Sequence, residues 1–180
     1  MRVYTIGHST RALADFTALL ASAGIACVAD VRRFPRSRRH PHFNGDALAR
    51  SLADAGISYR HFEALGGRRG KAPSKPSENT LWREEPFRNY ADYAETKEFR
   101  AAFGSLAALA AERPVAIMCA EAVWWRCHRR IIADYFLARG DEVVHILDKG
   151  KLEPATLTPG AAPRPDGTVL YSGNEPRLPL

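Results

Sequence analysis

The sequence predicts a three-layer α/β fold, with a mainly parallel five-stranded sheet between helices on both faces. Three observations carry this. Short β-branched runs alternate with stretches of helical period. Gly24, Gly56 and Gly140 stand where helical stretches should stop. At 46% hydrophobic and 26% charged residues, the 180-residue chain has the balance of a compact globule rather than a disordered or fibrous one.

Strands are expected at residues 3–6, 25–30, 57–61, 115–118 and 143–147, each apolar enough to be covered on both faces. The first helix should occupy residues 10–23, capped by Ser9 or Thr10, with Leu13, Phe16 and Leu20 on one face. A second should follow Asn44 and run to Ala55, with Leu48 and Leu52 inward. Residues 66–86 are rich in Gly, Pro, Ser and charge, too long and polar for an ordinary connector, and read as a functional loop. Helical pattern resumes near Tyr90 and is strong over 96–111, where Phe99, Phe103, Leu106 and Ala110 recur at helical spacing. The last helix should start near Cys127 and turn Ile131, Ile132, Tyr135 and Phe136 inward.

Residues 1–150 thus read as one α/β domain, with no internal repeat. Recurrent prolines after Lys149 rule out a long helix, so 151–180 reads as a tail packed on that domain, with room for a short edge strand at 168–171. Three cysteines, Cys27, Cys119 and Cys127, are an odd number in a chain with a full core, which argues against a secreted disulfide framework and for a cytoplasmic location. No apolar run has the length of a signal peptide or membrane span, so no membrane partner is expected. Lysine and arginine outnumber aspartate and glutamate by 26 to 20, giving a net charge of +6 and favouring an anionic partner. The basic residues cluster after predicted strands: Arg32, Arg33, Arg36, Arg38 and Arg39; Arg68, Arg69 and Lys71; Arg126, Arg129 and Arg130.

Right-handed crossovers bring the loops that follow parallel strands to one edge, and ligands bind where strand order reverses. The expected order 3-2-1-4-5 sets the turn of Gly7, His8, Ser9 and Thr10 against the loop from Cys119 to Arg129, flanked by Asp30 and Arg32. Three segments carry a resemblance: Thr5, Ile6, Gly7, His8, Ser9 and Thr10; Asp30, Val31 and Arg32 with the later Pro35; and Cys119, Ala120 and Glu121 followed by Cys127, His128 and Arg129. With Leu65, Gly66 and Gly67 in support, the chain over about 3–147 resembles domain-of-unknown-function family 488 of bacteria and archaea. The resemblance implies a Rossmann-like fold and a shared pocket, and no settled activity or cofactor.

Within the expected rim, the helix start at Cys127, His128 and Arg129 offers free N–H groups and a positive dipole end to a phosphate or carboxylate. Arg126, Arg129 and Arg130 have the wrong sign for that dipole unless an anion compensates them, or they lie in water or pair with surface acids. Cys127 is placed to be an activated thiol, or else a small hydrophobe at a tight junction. Cys119 at a strand end invites comparison with phosphatase and rhodanese loops, but the arginine of the phosphatase pattern would fall on Trp125. Glu121 and Asp30 are the acid–base pair, Glu121 foremost because desolvation would raise its pKa; the bland reading of each is a structural salt bridge.

His8 binds a ligand or caps its own loop, while Ser9 and Thr10 are helix caps first and phosphate contacts second. Gly66, Gly67 and Arg68 extend the binding surface. His40 and His42 could join Cys119, Cys127 and His128 in a zinc set, but no short ligand spacing supports one, and no metal is expected. Phe34, His42 and Phe43 in the arginine loop suit stacking on a nucleic acid, as do Trp124 and Trp125; a solvated basic loop and core packing are the alternatives.

No GxGxxG follows the first strand, so no dinucleotide cofactor is expected. The leading expectation is an enzyme acting on a nucleotide, nucleic acid or other phosphorylated substrate by hydrolysis or group transfer, with Glu121 or Asp30 moving the proton and Arg32 and Arg129 holding the anion. The rivals are a non-catalytic nucleic-acid-binding module and a thiol redox protein built on Cys127.

Overall fold

The computed structural model describes residues 1–70 and 76–173. Lys71 of the second basic cluster, part of the 66–86 loop and the final prolines lie outside the described residues. The chain is α/β and broadly Rossmann-like. Its main sheet joins β1 (Arg2–Gly7), β2 (Cys27–Asp30), β3 (Ser58–His61), β4 (Val115–Cys119), β5 (Glu142–Asp148) and β6 (Lys151–Pro154) in the order β3-β2-β4-β1-β5-β6. The first five strands are mutually parallel, and β6 returns antiparallel along β5.

The sheet class agrees with the expectation, but the order 3-2-1-4-5 is corrected: β4 sits between β2 and β1. The handedness of crossovers fixes which face a helix covers, not which gap a returning strand fills. Both orders leave β1 and β4 in the interior of the sheet, so burial does not choose between them: all five residues of β4 are buried, and so are all four of β2. Both orders keep β1 beside β4, so the loops expected to meet still meet. β3 departs from the expected two-sided burial: it borders the sheet, and Ser58 and Arg60 are exposed.

Alternation along the strands divides the core. Val115, Ile117 and Cys119 of β4 join one apolar cluster with Phe99, Phe103, Ile131 and Tyr135, while Ala116 and Met118 join another with Phe16, Leu20, Leu48 and Leu52. Helices α1 (Leu13–Ser22) and α2 (Gly45–Asp54) therefore cover one face, and α3 (Glu85–Ala94), α4 (Lys97–Glu112) and α5 (Arg129–Ala138) the other. The expected glycine stops hold: Gly24, Gly56 and Gly140 have φ of 65°, 72° and 82°.

Two helix starts differ from the sequence reading. α1 begins at Leu13 with Ala12 as its N-cap and no capping side chain, so Ser9 and Thr10 do not cap it. α3 begins at Glu85, inside the stretch read as loop, because Pro86 is a first-turn residue there, where its missing N–H costs nothing.

The segment after Lys149 also differs. Its edge strand is β6 rather than residues 168–171; β8 (Val169–Tyr171) pairs instead with β7 (Ala161–Pro163) in a separate two-stranded sheet. Asp134 of α5 ties this segment down, accepting hydrogen bonds from Thr158 N and from the Tyr171 hydroxyl, each at 2.9 Å. Arg130 adds a bond from Nε to Thr158 Oγ1 at 3.0 Å.

Candidate functional site

The C-terminal ends of β1, β4 and β2 lie side by side, and the loops beyond them frame a cleft of about 920 Å³. The crossovers leaving β1 and β4 depart in opposite directions over opposite faces, which makes this edge the topological switch point. Beyond the strand ends the β1–β4 pairing continues, with His8 N donating to Cys119 O and Ser9 N to Ala120 O, each at 2.9 Å. Gly7 permits this approach: a Cβ there would stand 1.9 Å from the Glu121 carbonyl oxygen. Ser9 and Arg68, both on the cleft wall, have left-handed φ of 49° and 60°, a conformation that non-glycine residues adopt only where surrounding structure enforces it.

Of the residues singled out in the sequence, His8, Ser9, Thr10, Arg32, Gly67, Arg68, Cys119, Glu121, Arg126, Cys127 and His128 line the cleft. Asp30, Gly66 and Arg129 do not, and each has another occupation. Asp30 is fully buried and accepts from Arg32 Nε at 2.9 and 3.0 Å and from the Tyr59 hydroxyl at 2.8 Å. Gly66 backs onto Arg33, whose Cα would lie 2.5 Å from an added Cβ. Arg129, 1% exposed, donates from Nε to Cys127 Sγ at 3.4 Å and from Nη2 to the Glu121 carbonyl at 2.7 Å. Glu121 itself is exposed, so the desolvation expected of it is not present.

His8 is buried and stacks on Phe43 with ring centres 4.2 Å apart. Its Nδ1 faces the Ser9 carbonyl at 2.9 Å and must carry the proton, which leaves Nε2 to accept from Arg32 Nη1 at 3.3 Å. Burial and the Arg32 guanidinium push this imidazole down to about 4. By the same logic His128 Nε2 donates to the Val31 carbonyl at 2.9 Å, and Nδ1 is left facing two sulfurs, Cys127 at 3.6 Å and Cys119 at 3.9 Å. Although no short spacing marks them in the sequence, these three donor atoms lie within 4.8 Å of one another. His40 and His42 stand outside that group. Burial raises the Cys127 thiol, but its interaction with Cys119, with Arg129 and His128 alongside, holds it well below the ordinary thiol range; that same interaction, together with burial, pushes Cys119 well above.

Among the described residues six arginines line the cleft, Arg32, Arg33, Arg36, Arg39, Arg68 and Arg126, against the single carboxylate of Glu121. Of the aromatic residues considered for stacking, Phe34 alone is a lining residue, 62% exposed with the Arg33 guanidinium 5.6 Å from its ring centre. Phe43 is core, and Trp124 is taken up by His145, on which it stacks at 4.4 Å, and by Glu153. The sequence reading missed Tyr59, which braces Asp30, and Tyr90, which packs against His128 at 4.9 Å between ring centres. Treating Pro86 as a helix start would have brought α3 and Tyr90 to this wall.

Fold and cleft together define a mainly parallel α/β protein with a cationic crevice at its switch point. The family model described as Domain of unknown function DUF488 matches residues 12–136, and the chain belongs to that family. The matched span holds Asp30–Arg32, Leu65–Gly67 and Cys119–Arg129, while the Thr5–Thr10 segment precedes it. Comparison with curated proteins gives no match, and comparison with solved structures gives none. No helix among the described residues is long and apolar enough to cross a membrane.

Proposed function

We propose that the chain is an enzyme that takes a nucleotide or another phosphorylated compound into the cleft and acts on it by hydrolysis or group transfer. The observation that carries this reading is the charge imbalance of the wall, six arginines to one carboxylate among the described residues. Such a surface concentrates anions, and its volume is of the size that encloses a small ligand. Arg36, Arg39, Arg68 and Arg126 are exposed and free to follow a phosphate. Arg32 is held by Asp30 and His8, which gives the cleft one fixed guanidinium beside mobile ones, a pre-positioned charge for a developing oxyanion. Asp30 is then a positioning residue, and Glu121, as the lining carboxylate, is the general acid or base.

The test combines binding with turnover. Phosphate, mononucleotides and short oligonucleotides are screened by thermal shift, and the stabilising ones are assayed for hydrolysis. Glu121→Gln should retain the shift and lose turnover; a chain that no anion stabilises would remove the reading.

A non-catalytic nucleic-acid-binding module is the second reading, and the exposed Phe34 beside Arg33 favours it, because an aromatic ring next to a cation stacks on any base. Steeply salt-dependent oligonucleotide binding that survives Glu121→Gln, without turnover, would select it over the enzyme.

A further inference from the structure

The anion-binding wall makes no use of the cluster on the cleft floor. Cys119 ends β4 on the face that α5 covers, and Cys127 and His128 immediately precede α5, so the fold sets two sulfurs and one imidazole nitrogen within 4.8 Å of one another. Zinc binds thiolate sulfur at about 2.3 Å and imidazole nitrogen at about 2.05 Å, and at the tetrahedral angle those bonds put sulfur and nitrogen roughly 3.5 Å apart. The observed separations are 3.6 and 3.9 Å. Both nitrogen–sulfur edges of a tetrahedron are therefore already in place to within a few tenths of an ångström, and the two sulfurs, within 4.8 Å of each other, need only close towards the roughly 3.8 Å that two zinc-bound thiolates keep.

The surroundings agree with that geometry. A ligating histidine is normally fixed by a hydrogen bond from its other nitrogen, and His128 Nε2 makes one to Val31 O at 2.9 Å. Tyr90 packs on one side of the ring, and on another Gly67 approaches so closely that a Cβ would lie 2.9 Å from Nδ1. Arg129 Nε donates to Cys127 Sγ, the kind of outer contact that supports a thiolate ligand. Two sulfurs with one imidazole suit a borderline-soft ion and not magnesium or calcium. Two thiolates also cancel a divalent charge locally, which offsets the cost of bringing a cation near the arginines. All three residues face the cleft, so the fourth corner opens to water or a ligand, as in three-ligand catalytic zinc sites.

We infer that Cys119, Cys127 and His128 form a zinc site whose fourth position faces the cleft. This inference is independent of what the arginine wall binds.

Cobalt(II) reports such a site directly. Added to the full chain after reduction and removal of metal, one equivalent should give thiolate-to-cobalt charge-transfer absorption with the intense visible bands of tetrahedral cobalt, and zinc should displace it. Cys127→Ser should weaken cobalt binding by about 100-fold or more. Cys27→Ser, which removes the remaining cysteine in β2, should leave the spectrum unchanged. Because a buried Cys127→Ser change carries its own folding risk, X-ray absorption of the unaltered zinc-loaded chain supplies a second reading, expected to find two sulfurs and one imidazole nitrogen. Absence of the charge-transfer band, its loss in a Cys27→Ser chain that keeps its thermal unfolding transition, or a shell of oxygen and nitrogen alone would overturn the site. Phosphate stabilisation is measured on the same sample, so failure of the anion reading and failure of the zinc site register separately.

Discussion

Arg32 folds back onto Asp30 two residues earlier, its Nε within 2.9 and 3.0 Å of the two carboxylate oxygens, and both residues are buried. An ion pair of this kind contributes little when intact, but removing one member strands the other in a medium that solvates it poorly. Asp30→Asn should therefore cost about 3–5 kcal/mol, read as a lower urea midpoint with unchanged slope. A loss under about 1 kcal/mol would mean that Arg32 finds water when unpaired.

Gly7→Ala tests the meeting of the first and fourth loops. The new methyl group would stand 1.9 Å from Glu121 O and 2.8 Å from its carbonyl carbon, both backbone atoms that no rotamer change can move. We expect a loss of at least about 1–3 kcal/mol, with faster amide exchange at Ser9, whose N–H bonds to Ala120 O across the junction. Unchanged exchange there would show that the loops separate without consequence.

The pH dependence of stability has a component assignable to Asp134. Burial raises its carboxyl from 3.8 to about 6, against the opposing hydrogen bonds from Thr158 and Tyr171. Between those values the folded chain keeps a proton that the unfolded chain has released. Its contribution is thus complete below the unfolded value and is lost as pH rises through the folded one, on the order of 3 kcal/mol in all. His8 and His145, both lowered to about 4, act with the opposite sign: their contribution is complete above 6.5 and fades as pH falls towards 4. The informative quantity is the stability difference between the native chain and Asp134→Asn, which should move against the native chain from pH 4 to pH 7. A flat difference would rule out this carboxyl as the source.

Arg36 and Arg126 are exposed on the cleft wall, and replacing either with alanine should change stability by no more than about 0.5 kcal/mol. Each replacement should weaken binding of a stabilising phosphate compound by roughly tenfold, the scale of one lost charge-assisted hydrogen bond, and flatten its salt dependence. Calorimetric titration at two salt concentrations measures both. Equal affinity in the native chain and both variants would place the anion elsewhere.

Much of this arrangement is legible from local rules. Strand positions follow from β-branched runs, helix ends from glycines such as Gly24 and Gly56, and the meeting of His8 with Cys119 from the edge rule for parallel sheets. Strand order was not legible, because pattern and handedness do not say which gap β4 fills, and its buried run is matched by that of β2. The fates of Asp30 and Arg129 were hidden for a related reason. A charged residue near a strand end looks the same in sequence whether it faces a ligand or is folded against a partner such as Arg32 or Cys127. The thiol–imidazole cluster was legible only in part: Cys119, Cys127 and His128 could be drawn as a zinc set together with His40 and His42, but nothing separated the three from the other two, because their proximity arises from β4 and α5 packing on one face and not from spacing along the chain.

The borders of the main sheet also bear on how copies of this chain meet. Each is only four residues long: β3 carries Arg60 on one margin, while Lys151 and Pro154 bracket β6 on the other. Short margins with cations and a proline are poor templates for a further strand, even with Leu152 half exposed between them. Self-association by extending the sheet is accordingly disfavoured, and crowding should not readily drive these molecules into ribbons.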